Sequence, residues 1–232
     1  MRDRWCFLIL VAVIVAVGVG DTSAQTNREL AAGFEKATAA LRELVGMPDK
    51  GIPRDLLARA QAVAVFPGVV KGAFFFGGQL GNGVMSVRRP DGSWSPPALF
   101  TLGGGSYGLQ FGGEVSDIVL VVTSRKGVDS LLRSKITLGA DVSVAAGPLG
   151  RRAEAATDIR FQADILSYSR TKGLFAGISV GGGTVHPDDD DNKQLYGRAL
   201  TAREILTGDQ VTAPSVAREF LETLTTYASP AK

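Results

Sequence analysis

Gly103-Gly104-Gly105-Ser106-Tyr107-Gly108-Leu109-Gln110-Phe111-Gly112-Gly113 is the densest part of a block, Val63 to Val185, in which short apolar segments are broken by glycines. The same pattern returns at Gly77-Gly78 and Gly181-Gly182-Gly183. Glycine at this density costs backbone entropy, so a folded domain places it where strands turn sharply, bulge or pass close to another backbone. The block therefore predicts a curved, mostly antiparallel sheet, barrel-like at its limit. Strands are expected at 63–66, 98–102, 107–111, 118–123, 140–145, 161–168 and 174–180. A hairpin of 72–80 with 84–89 is expected to turn at Gly81-Asn82-Gly83, whose residues tolerate positive φ.

Helical periodicity brackets the block. Leu30, Phe34, Ala37, Leu41 and Leu44 recur at three- and four-residue steps among charged residues, which predicts one amphipathic helix over 27–45. It stops at Gly46 and Pro48, and a second helix over 54–62 follows Pro53. A short helix is expected at 128–134, helical segments at 192–196 and 201–206, and a final helix over 214–227 with Val216, Phe220, Leu221 and Leu224 inward. The fold class is α+β, a curved sheet flanked by N-terminal and C-terminal helices.

The chain has 232 residues, one cysteine and a formal net charge of +2. Arg2 and Arg4, the apolar run Phe7 to Val17 and the small residues Thr22-Ser23-Ala24 have the order of a secretory signal peptide. The run is shorter than the roughly 20 apolar residues of a membrane span. Residues 1–24 are thus expected to be a leader, 25–50 an amphipathic helix and its exit, and 51–232 one domain, exported to a periplasm or cell envelope. Cys6 precedes the apolar run, so it is not placed for lipidation. After cleavage near Ala24 no thiol remains for disulfides, catalysis or metal. The near-balanced charge gives a nucleic-acid partner little support.

Three motifs invite chemistry. Gly103 to Gly108 matches a dinucleotide-binding loop, but strand-like sequence follows where a helix should receive the phosphates. Gly177-Ile178-Ser179-Val180-Gly181 matches a nucleophile elbow, and His186 is the sole histidine. The elbow needs strand, turn and helix, whereas Ser179 sits in alternating strand sequence. Asp188 to Asp191 attracts hard cations but lacks the glycine and spaced acids of an EF-hand loop, so a solvated loop leading to a helix at Asn192 is expected. No catalytic residue, cofactor or metal site is assigned.

Asp91-Gly92-Ser93-Trp94-Ser95-Pro96-Pro97 and Gly103 to Gly112 resemble the SYLF domain family. Further matches follow in order at Leu138-Gly139-Ala140-Asp141, Ala146 to Arg151, Tyr168 to Gly177, and Asn192 with Tyr196-Gly197. The chain is identified on these motifs as a member over about Ile52 to Leu206. The resemblance implies a non-catalytic domain: bacterial members are described as lipid-binding, eukaryotic relatives bind phosphoinositide membranes partly through an N-terminal amphipathic helix, and yeast relatives bind and bundle actin. An exported protein is expected to meet neither phosphoinositides nor actin, so phospholipid or another anionic membrane surface is the expected partner. A scaffold for an envelope protein, without lipid, is the alternative.

Two sets of residues are the candidates for lipid contact. Lys71, Arg125, Lys126, Arg151, Arg170 and Lys172 fall at strand ends or turns and would attract phosphate if they shared a face. Arg88-Arg89 is a further basic pair at such a turn. Leu30, Phe34, Leu41 and Leu44 could enter a membrane or cover the open face of the sheet, and packing is the default. Phe74, Phe75 and Phe76 must point to both faces of a strand, so at least one side needs a cover.

Overall fold

The computed structural model describes residues 22–47, 51–72, 77–106, 114–150, 163–171, 174–178 and 180–228. Its centre is a strongly curled half-barrel sheet. In chain order the elements are α1 (Thr22–Val45), α2 (Arg54–Arg59), β1 (Ala62–Gly72), β2 (Gly77–Val87), β3 (Ala98–Ser106), β4 (Glu114–Val122) and α3 (Arg125–Leu131). They continue with β5 (Ile136–Thr137), β6 (Val144–Ala146), β7 (Ile165–Thr171), β8 (Leu174–Gly177), β9 (Thr184–Pro187), α4 (Asp189–Tyr196) and α5 (Ala202–Thr207). A 3-10 turn, Ser215–Ala217, leads into α6 (Arg218–Tyr227). The strand order is β5-β9-β3-β2-β1-β4-β7-β6, and β8 shares the outer edge of β7 with β6. Among the described strand pairs only β6–β7 is parallel.

The apolar runs of β1 and β4 bury both faces by strand alternation. Val63 and Val65 of β1, Val119 and Val121 of β4, and Leu166 and Tyr168 of β7 join a core under α1, α2 and α6. The neighbours Ala62, Ala64, Phe66, Ile118, Leu120, Val122 and Ile165 join a second core under α3 and α5. Phe34, Leu41 and Leu44 of α1 lie in the first core, where Phe34 meets the Phe220 ring edge-on at 6.3 Å. The long helix is therefore a layer of the fold.

Two expectations are corrected. Gly81-Asn82-Gly83 is no turn: it lies inside β2, paired with Leu102, Thr101 and Phe100 of β3. A Cβ on Gly83 would come within 2.3 Å of the Phe66 ring, and one on Gly81 within 2.7 Å of Val69. These glycines admit the side chains flanking the β1 bulge, where register shifts between Val65 and Val70. The acidic run is no loop either. Asp188 caps α4 by accepting from the Asp191 amide at 3.1 Å, and Asp189 to Asp191 fill the first turn, where the helix dipole favours negative charge. The expected strand 107–111 and the aromatics Phe74 to Phe76 lie outside the described residues.

Candidate functional site

The register gives the sheet two ends of opposite character. At one end lie Ala62, Val87, Val122 and Ile165; at the other lie Gly72, Gly77, Ser106, Glu114 and Thr171. The Ala62 end is closed by polar side chains that serve the fold. The Arg88 guanidinium donates to the carbonyls of Leu57 (3.0 Å), Ala60 (2.9 Å) and Ala228 (3.2 Å) and stacks 4.5 Å from the Trp94 ring centroid. Those carbonyls end α2 and α6, so one cation offsets two helix dipoles. Burial pulls its pKa down. Arg89 donates to Gly208, the last carbonyl of α5, at 3.2 Å. Both arginines serve the fold here.

Lys126 is also engaged. Asp164 accepts from Ser124 (2.6 Å) and Ser143 (2.7 Å), and the Lys126 ammonium lies 3.3 Å away. The Ser124 hydrogen bond, followed by those from Ser143 and Lys126, holds the Asp164 carboxyl below the ordinary range despite burial. Since Ser124 caps α3, this cluster locks α3, β6 and the start of β7 together. Arg125 is exposed beside it.

Arg170 belongs to the other end. Its guanidinium donates twice to Asp117 Oδ2, at 2.9 and 2.6 Å, and pairs with Glu43 of α1. Asp117 also accepts from the Gly68 amide at 2.8 Å. Lys71 occupies a position of β1 between Gln79 and Glu114 at this same end, while its side chain and all of Arg151 and Lys172 lie outside what is described. The three candidate cations with described side chains, Arg125, Lys126 and Arg170, thus do not share one patch. Arg125 and Lys126 are separated from Arg170 by most of the length of β4, about 17 Å at 3.3 Å per residue.

The apolar candidates are equally well located. Phe34, Leu41 and Leu44 are buried, and Leu30 packs half-buried on the same core. The large aliphatic side chains left in water include Val70, Val115 and Leu174, 50%, 59% and 76% exposed. Val70 and Val115 are direct cross-strand partners, and Leu174 opposes Thr171 two strands beyond β4's Val115. No motif singled them out, since exposure depends on where distant helices stop. The only legible signal was apolar strand sequence running on past Gly68.

Chemistry finds little purchase. His186 Nδ1 lies 3.1 Å from the Pro187 carbonyl, no carboxylate is placed on its ring among the described residues, and Ser179 lies outside them. Among the described residues no three His, Cys, Asp or Glu side chains are grouped to hold a metal. A cavity of about 130 Å³ between α1, β2, β3 and α4 is lined by Glu29, Leu30, Phe34, Val84, Asp188 and Asp191. Its volume is below the roughly 300 Å³ where ligand pockets begin, and the larger hollows along α6, about 460 and 400 Å³, are open grooves on the surface. Burial, then the charges of Asp188, Asp190 and Glu29, push the Asp191 carboxyl above its ordinary value. Tyr168 is fully buried, and its hydroxyl has no hydrogen-bond partner among the described residues; burial raises its pKa.

The family model described as "Ysc84: Las17-binding protein actin regulator" matches residues 103–227. The chain belongs to the Ysc84, or SYLF, family. An SH3 domain-containing protein of Schizosaccharomyces pombe is 40% identical over 169 residues, 72% of this chain and 39% of the relative. The SH3 domain-containing YSC84-like protein 1 of Bos taurus is 34% identical over 199 residues, 83% of this chain and 58% of the relative. Protein YSC84 of Saccharomyces cerevisiae is 37% identical over 209 residues, 87% and 44%. This SYLF chain therefore spans about 39–58% of the length of these relatives. The family description names binding and actin regulation, and two of these relatives are named for an SH3 domain.

Proposed function

We propose that this SYLF protein is a non-catalytic module that binds phospholipid at an anionic membrane surface, acting at a periplasmic or cell-envelope membrane after export on residues 1–24. The observation that carries the lipid reading is the contrast between a fully used interior and aliphatic side chains left in water. Among the described residues both faces of the central part of the sheet are filled by protein, and the apolar stripe of α1 is buried in the core. Val70, Val115 and Leu174 stay exposed. Exposed aliphatics on a protein whose described cavities offer no enclosed apolar chamber favour contact with a lipid surface over enclosure of a lipid chain.

The test is flotation of the processed chain, 25–232, which retains every residue of both cores, with liposomes of graded anionic content. Binding is expected to rise with anionic lipid and to weaken with salt. Absence of binding at every composition would overturn the lipid reading. The description of the matched family as Las17-binding favours a second one, an envelope scaffold that holds a protein partner. That reading predicts pull-down with yield unchanged by delipidation. Mass spectrometry of the exported protein tests the leader, with Gln25 expected as the first residue.

A further inference from the structure

Among the described residues three of the four exposed large apolar side chains, all but Met47, lie at one end of the sheet, and that has a geometrical consequence for any bilayer the protein meets. Val70 and Val115 lie side by side on β1 and β4, beyond the part of that face that α1 covers. Val69 and Ser116, one residue away on each strand, are buried on the opposite face. Leu174 opposes Thr171, which alternation along β7 places on the face opposite Tyr168 and Arg170. Aliphatic side chains therefore emerge from both sides of the same rim. A rigid partner would meet one face, whereas a rim apolar on both sides suits immersion in a fluid medium.

The described strand ends mark this rim as one edge of the sheet. The connections from β1 to β2, β3 to β4 and β7 to β8 all leave from it, because Gly72, Gly77, Ser106, Glu114, Thr171 and Leu174 are their strand ends. The Ala62 end differs in kind. It carries Arg88, Arg89, Ser124, Lys126 and Asp164 in satisfied polar contacts, with the exposed turn Asp91-Gly92 beyond them.

We infer that the Gly72 end of the sheet, the rim of Val70, Val115 and Leu174, is the surface that enters the bilayer interface, with the strands standing on the membrane and the Ala62 end pointing away. This rests on the lipid reading above and narrows it. Arg125 and Lys126, at the far end, lie out of reach of the same bilayer. Arg170 is neutralised by Asp117 and Glu43. Arg125, Lys126 and Arg170 therefore supply no headgroup contact in this orientation, and α1 stays docked.

The test uses the processed chain, which has no cysteine of its own. An environment-sensitive fluorophore is attached at Val115→Cys, at Leu174→Cys and, as a control on α6 near the Ala62 end, at Thr226→Cys. Vesicles of phosphatidylcholine with phosphatidylglycerol are added. Blue-shifted emission at 115 and 174, with none at 226, is the expected result. In parallel, Val70→Ser, Val115→Ser and Leu174→Ser combined should lower partitioning about tenfold or more, each lost methylene being worth about 0.8 kcal/mol against about 1.4 for a factor of ten. Thermal melting confirms that the triple variant is folded. Flotation of the unsubstituted protein with unshifted labels at 115 and 174, or with a shift at 226, would overturn the rim and leave lipid binding standing. Failure of the unsubstituted protein to float would overturn both.

Discussion

At the residue scale, this protein uses several of its most conspicuous polar groups to hold itself together. Arg88 was legible as a basic residue in a turn, but its role was not, because its three helix-end carbonyls lie 28, 31 and 140 residues away in sequence. Arg88→Lys cannot reproduce a planar fork that reaches three acceptors and stacks on Trp94. It should cost about 2–3 kcal/mol, read as a lowered denaturation midpoint with an unchanged slope. Tyr168 makes the opposite case. Its ring fills the space beneath Gly147, where a Cβ would approach Cζ to 2.1 Å, yet its buried hydroxyl lacks a partner among the described residues. Removing an unsatisfied buried hydroxyl relieves a desolvation cost. Tyr168→Phe should therefore be neutral or stabilising by up to about 1 kcal/mol in thermal melts, whereas Gly147→Ala should be clearly destabilising.

At the element scale, periodicity was a good guide wherever one element's own residues decide its state. The three- and four-residue repeat of α1 and the apolar runs of β1 and β4 are direct consequences of which faces are buried. It misled where a residue's reason lies in a neighbouring strand. Gly81 and Gly83 look like turn residues, but they are small because Val69 and Phe66 cross them. Asp188 to Asp191 look like a loop, but a helix N-terminus welcomes carboxylates. That acidic turn carries a penalty at Asp191, first from burial and then from the carboxylates of Asp188, Asp190 and, across the small cavity, Glu29 of α1. The Asp191 carboxyl is raised above its ordinary value, so ionising it costs the folded state. The associated stability is present in full below the unfolded value of 3.8 and is lost as pH rises through the raised folded value. Asp191→Asn should raise the melting temperature at pH 7, and the gap from the unsubstituted protein should close below pH 4. A constant gap across that range would contradict a carboxyl raised by burial and neighbouring carboxylates.

At the scale of the whole molecule, the question is whether an amphipathic helix on a half-barrel is a movable membrane anchor or a fixed layer. The sequence left both jobs open for Leu30, Phe34, Leu41 and Leu44, because an apolar stripe has the same spacing in either. Burial magnitudes decide between them. Phe34, Leu41, Leu44 and Val45 are each buried in the α1 layer, and re-exposing four such side chains costs about 6–12 kcal/mol at 1.5–3 kcal/mol each. That is comparable to the entire stability of a typical domain, about 5–15 kcal/mol. The Arg42–Glu219 and Glu43–Arg170 ion pairs add little to this, being largely exposed on at least one partner. Release of α1 would therefore approach unfolding, and the lipid contact proposed above would have to use surfaces already bare. Joining α1 to α6 covalently separates the two mechanisms. In the processed chain, Arg42→Cys with Glu219→Cys places two thiols where the side chains now meet at 2.7 Å, within reach of a short bismaleimide. The crosslinked protein should float with liposomes as well as the unlinked double variant, because the Val70–Val115–Leu174 rim is untouched. Loss of flotation on crosslinking, recovered when the two helices are left unlinked, would mean that α1 must leave the sheet for the protein to bind.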